Sequence, residues 1–133
     1  MNIKEIINSL PNGFHDSALK KLTHDFVENS LTLVLDVWMD DEQVDGKFVG
    51  NRQQCNLKFT GLKYFSYEPS LFTTNRDKKN LTGSAWVHID YDYEKVSKPI
   101  NLSGGPNSGW IFFKDFNGFV HFDAEEIEFE WNI

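Results

Sequence analysis

Leu31-Thr32-Leu33-Val34-Leu35-Asp36-Val37-Trp38-Met39-Asp40 decides the fold class. Leu31, Leu33, Leu35, Val37 and Met39 fall on one side of an extended chain, and Thr32, Val34, Asp36, Trp38 and Asp40 on the other. Side chains alternate across a strand with a period of two, so this is a strand with one buried face. Just upstream, Ala18, Leu22, His24 and Phe26 alternate with Lys21, Thr23 and Asp25, with Lys20 as the exception. Glu28-Asn29-Ser30 joins the two runs as a turn, and together they predict a hairpin.

The same period recurs along the chain. Cys55, Leu57 and Phe59 alternate inward, and a bulge or bend is expected at Gly61, where the pattern changes. Leu62 to Tyr67 continues that strand. Ala85, Val87, Ile89, Tyr91 and Tyr93 alternate with Ser84, Trp86, His88, Asp90 and Asp92. Residues 110–116 and 119–124 flank Asn117-Gly118, a pair that suits a hairpin turn needing positive φ at both central positions. Ile127, Phe129, Trp131 and Ile133 alternate with Glu126, Glu128, Glu130 and Asn132. Residues 41–50, 69–82 and 97–109 read as loops. Ile3, Ile6, Ile7 and Leu10 have helical spacing, and Pro11-Asn12-Gly13 ends that helix. The expectation is a single domain over 1–133. It is mostly β with one short N-terminal helix: an antiparallel sandwich or partly open barrel of about seven strands.

Composition narrows the function classes. The chain has 133 residues, 13 Lys plus Arg against 20 Asp plus Glu, and a formal net charge of −7. That balance argues against nucleic acid as a partner. No apolar run approaches the ~18 residues of a membrane helix. The first ten residues are interrupted by Lys4, Glu5 and Asn8 and do not read as a signal peptide. The single cysteine, Cys55, forms no disulfide within the chain and suits a cytoplasmic location. Its place in the alternation makes it a buried core residue.

Three constellations invite chemistry. His15-Asp16 are adjacent, and neighbours in an extended segment point to opposite faces unless the backbone is unusual. His88-x-Asp90 and His121-x-Asp123 each place an imidazole and a carboxylate on one strand face. Two such pairs brought together would supply four metal ligands. The stretch from Ser103 to Gly109 is glycine-rich but lacks the Gly-Lys-Ser/Thr ending of a phosphate loop. None anchors a catalytic motif, so no cofactor and no resident metal are expected. A metal-dependent enzyme using the strand His/Asp pairs and a small-ligand-binding β domain stand as alternatives.

Charge and aromatic placement point instead to recognition. Acids cluster at Asp36–Asp45, Asp90–Glu94 and Asp123–Glu130, and Trp38, Trp86 and Trp110 fall near them. Carboxylates that steer and aromatic side chains that anchor fit a protein–protein interface. The candidate partner-binding residues are Asp36, Trp38, Asp40, Asp41, Trp86, Asp90 and Asp92. Self-association through a Phe-rich edge such as 110–116 is a further possibility.

Gly13-Phe14-His15-Asp16-Ser17-Ala18-Leu19, followed by Leu22, Asp25 and Leu31-Thr32-Leu33-x-Leu35-Asp36-Val37-Trp38, resembles a group of small bacterial domains. These open on F-H-D-A/S and continue into a hairpin with a T-L-x-L core. Ser17 stands where Ala is usual. Some members are immunity proteins of polymorphic toxin systems. The resemblance implies a toxin-neutralising protein that acts by stoichiometric contact, and it assigns no catalytic role to the His-Asp pair.

Overall fold

The computed structural model describes residues 2–68, 85–94, 96–114 and 118–132, except for the side chains of residues 41, 42, 44, 48, 49 and 85. A helix, α1 (Ile3–Ser9), precedes six strands: β1 (Ser17–Asp25), β2 (Ser30–Val44), β3 (Lys47–Glu68), β4 (Ala85–Asp90), β5 (Ser108–Phe113) and β6 (Gly118–Trp131). All neighbours are antiparallel, and the order β1-β2-β3-β6-β5-β4 closes on itself as a barrel. The mostly β, antiparallel class expected from the sequence is therefore what the chain adopts. Closure removes the exposed edges that an open sheet would leave over the paired segments.

Among the described residues the strand count falls from about seven to six, because the runs expected at 119–124 and from 127 onward form one strand that ends at Trp131. Their inward parity differs: Val120, Phe122 and Ala124 face the core, then Ile127 and Phe129. Strand β3 changes parity at the same level, between Phe59 and Leu62. The two strands turn the corner together. Gly61 has φ +64°, and the Glu125 side chain occupies the space its Cβ would need. The register slips by one residue between Leu62 and Tyr64. The bend expected at Gly61 is thus this corner.

A second bulge explains Lys20. The register of β1 against β2 shifts between Leu19 and Lys21. Leu19 pairs with Leu35 and Leu22 with Leu33, so Leu19, not Ala18, shares the inner face with Leu22. The extra residue, Lys20, is left outside. The strand ends at Asp25, earlier than the alternation suggests, and Phe26 and Val27 are 84% and 97% exposed at the hairpin tip. The Asp25 carboxylate caps that tip by accepting from the Val27 and Glu28 amides.

Residues 41–50 form no open loop. Strand β2 continues to Val44 and returns at Lys47 through Asp45 and Gly46, with φ of 51° and 78°. Those values at both central positions are what a two-residue hairpin turn demands, and Asp-Gly supplies them. The Asn117-Gly118 expectation falls partly outside the described residues, as does the loop at 69–82. Strands β5 and β6 do pair as a hairpin, Phe113 opposite Gly118.

The interior is filled by side chains. Leu31, Leu33, Leu35, Val37, Cys55, Leu57, Phe59, Val87, Ile89, Ile111 and Phe122 are fully buried. This packing leaves the barrel axis to side chains, and the clefts described below lie outside it. Asn2 caps α1 through a reciprocal pair of bonds with Glu5. Ile3 and Ile6 of α1, with Leu10 and Phe14, join the core at the end where Met39 and Phe129 lie. Among the described residues, no helix is long and apolar enough to cross a membrane.

Burial decides the chemistry of Cys55. Desolvation, aided by the Asp36 charge, pushes its thiol up to about 12, so the nucleophilic thiolate is absent at neutral pH. We expect iodoacetamide to label native protein at least about a hundredfold more slowly than the chain in urea, because reaction must wait for opening. Equal rates, measured by mass spectrometry, would contradict this placement.

Candidate functional site

The outer face around the β1–β4 seam brings together residues that are far apart in sequence. In β4, Val87 and Ile89 point inward, so Trp86, His88 and Asp90 point outward. Ala18 of β1 sits between Trp86 of β4 and Asp36 of β2 as cross-strand partner of both. Trp38 of β2 pairs with Arg52 of β3. A depression of about 330 Å³ lies between these strands, lined by Asp16, Trp38, Gly50, Arg52 and Trp86.

Arg52 organises the depression. Its guanidinium lies 4.8 Å from the centre of the Trp86 ring, and its Nη1 donates to the Asp16 carbonyl at 2.7 Å. A cation over an indole face both attracts and immobilises the ring. Trp86 is nonetheless 41% exposed, a large aromatic surface held in one place.

Asp16 has φ +52°. This is the unusual backbone that the His15-Asp16 pair requires, and it lets His15 Nε2 approach Asp16 Oδ2 at 3.2 Å despite their adjacency. The other carboxylate oxygen of Asp16 bonds Lys114 Nζ, at the end of β5. Lys114 in turn donates its amide to the Trp86 carbonyl at 2.9 Å. Asp16 therefore latches the start of β1 to the end of β5 and to Arg52 of β3.

The hydrogen bond from Lys114 holds the Asp16 carboxyl below its ordinary 3.8, with partial burial opposing and the Lys114 charge, His15 and Arg52 adding to the shift. A carboxylate with a depressed value stabilises the fold above its ordinary pKa, and that contribution is lost as pH falls through the folded value. We expect Asp16→Asn, which tolerates the same backbone, to cost about 0.5 kcal/mol at neutral pH. Both side chains are more than a third exposed, so solvent screens the pair. The difference should shrink as pH falls below 3.8 and vanish once pH is under the lowered folded value, as read by urea titrations. A constant difference across pH would show that charge is not its source.

His88 extends the cluster. Its ring meets His15 edge-on at 5.5 Å and Trp110 at 5.4 Å, and its Nε2 lies 3.4 Å from Asp90 Oδ2. Burial lowers its pKa, opposed by Asp90 and helped by His15 and Lys114. Asp90 is engaged in building the turn after β4, since Oδ1 accepts from the Tyr91 and Asp92 amides. The Asp92 carboxylate likewise accepts from the Glu94 amide.

The two strand His/Asp pairs do not converge. Trp110 of β5 separates Asp90 from His121 in the register. Asp123 turns to Ser103 Oγ at 2.9 Å, and His121 turns to Tyr93. Among the described residues, no group of three or more His, Cys, Asp or Glu side chains could hold a metal ion.

Of the residues proposed from the sequence, Trp38 and Trp86 share the depression. Asp36 lies on the same outer face, paired with Lys20 at 3.4 Å. Asp40 is exposed beyond the register shift at Met39. Asp41 has its backbone in β2, and its side chain lies outside the described residues. Asp90 and Asp92 cap a turn on another flank. The acidic groups therefore do not merge: Glu126, Glu128 and Glu130 oppose Thr60, Lys58 and Asn56 of β3. Sequence reading missed Arg52 and Lys114, whose roles exist only through cross-strand register.

A larger cleft of about 490 Å³ lies between the start of α1 and Gly104–Pro106. It mixes Lys4 and Lys98 with Asp92, and Lys4 already lies 5.9 Å from the centre of the Tyr91 ring. Size alone favours it, but the smaller depression presents an indole held against a guanidinium.

No protein-family model matches the chain, and no curated protein matches it. An uncharacterized protein from Neisseria gonorrhoeae is a similar solved structure, with a TM-score of 0.40 and 16% identity over 88% of this chain and 92% of that one.

Proposed function

We propose that this chain is a non-catalytic binding protein that holds a protein partner against the Trp38–Arg52–Trp86 face, in the manner of a toxin-neutralising immunity protein. The observation that carries this reading is the Trp86–Arg52 pair, an exposed indole against a guanidinium that is itself tied to the Asp16 carbonyl. Tryptophan and arginine dominate interface hot spots, because a rigid ring loses little entropy when buried. Asp40, exposed on the strand that carries Trp38, adds negative charge at the margin and favours a partner with a basic group there, whereas Asp36 is already paired with Lys20. The F-H-D-S segment supports the immunity reading through its resemblance. It also supplies Asp16, which holds Arg52 in place.

The charge arm has its own test. Reversing a rim charge changes the encounter rate more than the dissociation rate. Asp40→Lys should slow association with the partner by about three- to tenfold at low salt and flatten its salt dependence. Stopped-flow rates at several ionic strengths measure both. Unchanged association would remove Asp40 from the interface.

A further inference from the structure

His121 lies on the outer face of β6 yet is 1% exposed. Its hydrogen bonds fix its tautomer. Tyr93 Oη donates its only proton to the Gly109 carbonyl at 2.7 Å. Toward His121 Nδ1, 3.1 Å away, the same oxygen can only accept, so Nδ1 carries the ring proton in the neutral imidazole. The lone pair is then on Nε2. That buried atom has no hydrogen-bond partner among the described residues. Ser66 stands opposite His121 in the β3–β6 register, and its buried hydroxyl also has none among them. Glu68 Oε2 lies 3.5 Å from Nε2.

An imidazole lone pair facing a carboxylate is unfavourable unless something positive lies between them. The distance is long for a hydrogen bond. It matches the span of two ligands on one ion: donors about 2.1 Å from a tetrahedral cation stand about 3.4 Å apart. A histidine that gives its second N–H to a fixed acceptor, here Tyr93 held by Gly109, is also the usual state of a metal-bound imidazole. We propose that His121 Nε2 and the Glu68 carboxylate form a two-ligand site for a zinc-class divalent cation. Glu68 is 59% exposed in its side chain, which gives the ion a route from solvent. With no third His, Cys, Asp or Glu in place among the described residues, water fills the remaining positions. The affinity is therefore modest.

Titration of the full chain with Zn²⁺ alone by calorimetry, and with Co²⁺ by visible absorption, tests the site. One ion per chain should bind with a dissociation constant below about 1 mM. Glu68→Gln, at an exposed position, should keep the circular dichroism spectrum and weaken binding at least about tenfold. The double variant His15→Gln/His88→Gln should bind as wild type does. Lower pH should weaken binding, because proton and ion compete for the same lone pair. No saturable binding below about 1 mM would overturn the proposal. So would equal affinity in Glu68→Gln, or loss of binding only in the His15/His88 variant.

Discussion

Gly109→Ala is expected to destabilise the protein by about 3 kcal/mol, enough to abolish much of the stability of a domain this size. Gly109 sits in β5 on the neighbour side of β4. An added Cβ would overlap the Asp90 carbonyl oxygen and come within 2.9 Å of the Phe122 ring. The first obstacle is backbone of the adjacent strand, and the second is a fully buried ring whose centre lies 4.5 Å from that of Phe59. Neither can move without disturbing others. The Gly109 carbonyl also accepts the Tyr93 hydroxyl that orients His121. Backbone shift at this residue would therefore loosen the 91–107 segment as well as the core. Urea denaturation of Gly109→Ala beside Gly46→Ala separates the two kinds of glycine. Gly46 has nothing near its missing Cβ and loses only its positive-φ allowance, at about 1 kcal/mol. Equal midpoints for the two variants would contradict the packing argument.

What could be read from the chain, and what could not, follows from the range of the forces involved. The run 31–39 announces itself because each residue's neighbours along the chain fix its face. Cys55, Leu57 and Phe59 do the same, and the structure buries these three with Leu31, Leu33, Leu35 and Val37, while Met39 is half-buried against the core. Bulges are harder, because one extra residue flips every later side chain. Lys20 looks like an anomaly in sequence and is the bulged residue in the structure. The acidic content of residues 41–50 resembles a loop, but Asp45-Gly46 is the stronger local instruction and turns the segment into a hairpin. Closure lies beyond any local pattern. Lys114 reaches Asp16 across 98 positions, and this contact appears only once β4 pairs with β1. Trp38 and Trp86 could be marked as outward aromatics. That both would line one depression with Arg52 depends on the bulges, the register and the closure together. Tyr93 and Glu68 were similarly silent, since a tyrosine in a loop and a carboxylate at a strand end become notable only beside His121.

The largest effect expected on function is at Trp86. An exposed indole held by Arg52 would contribute as a central anchor, so Trp86→Ala should weaken partner binding by about 2 kcal/mol or more, roughly thirtyfold. The fold should tolerate the change, because the ring lies outside the barrel core and 41% of the residue is already in water. Ile100, fully exposed on the segment between β4 and β5, is the matched control. The decisive measurement captures the partner from the native host with wild-type chain. It then determines the affinity of that purified partner for wild type, Trp86→Ala and Ile100→Ala by calorimetry. The binding account predicts a one-to-one complex, a loss of at least about thirtyfold in Trp86→Ala, and wild-type affinity in Ile100→Ala. A chain that retains no stoichiometric protein, or a partner that binds Trp86→Ala as tightly as wild type, would contradict it.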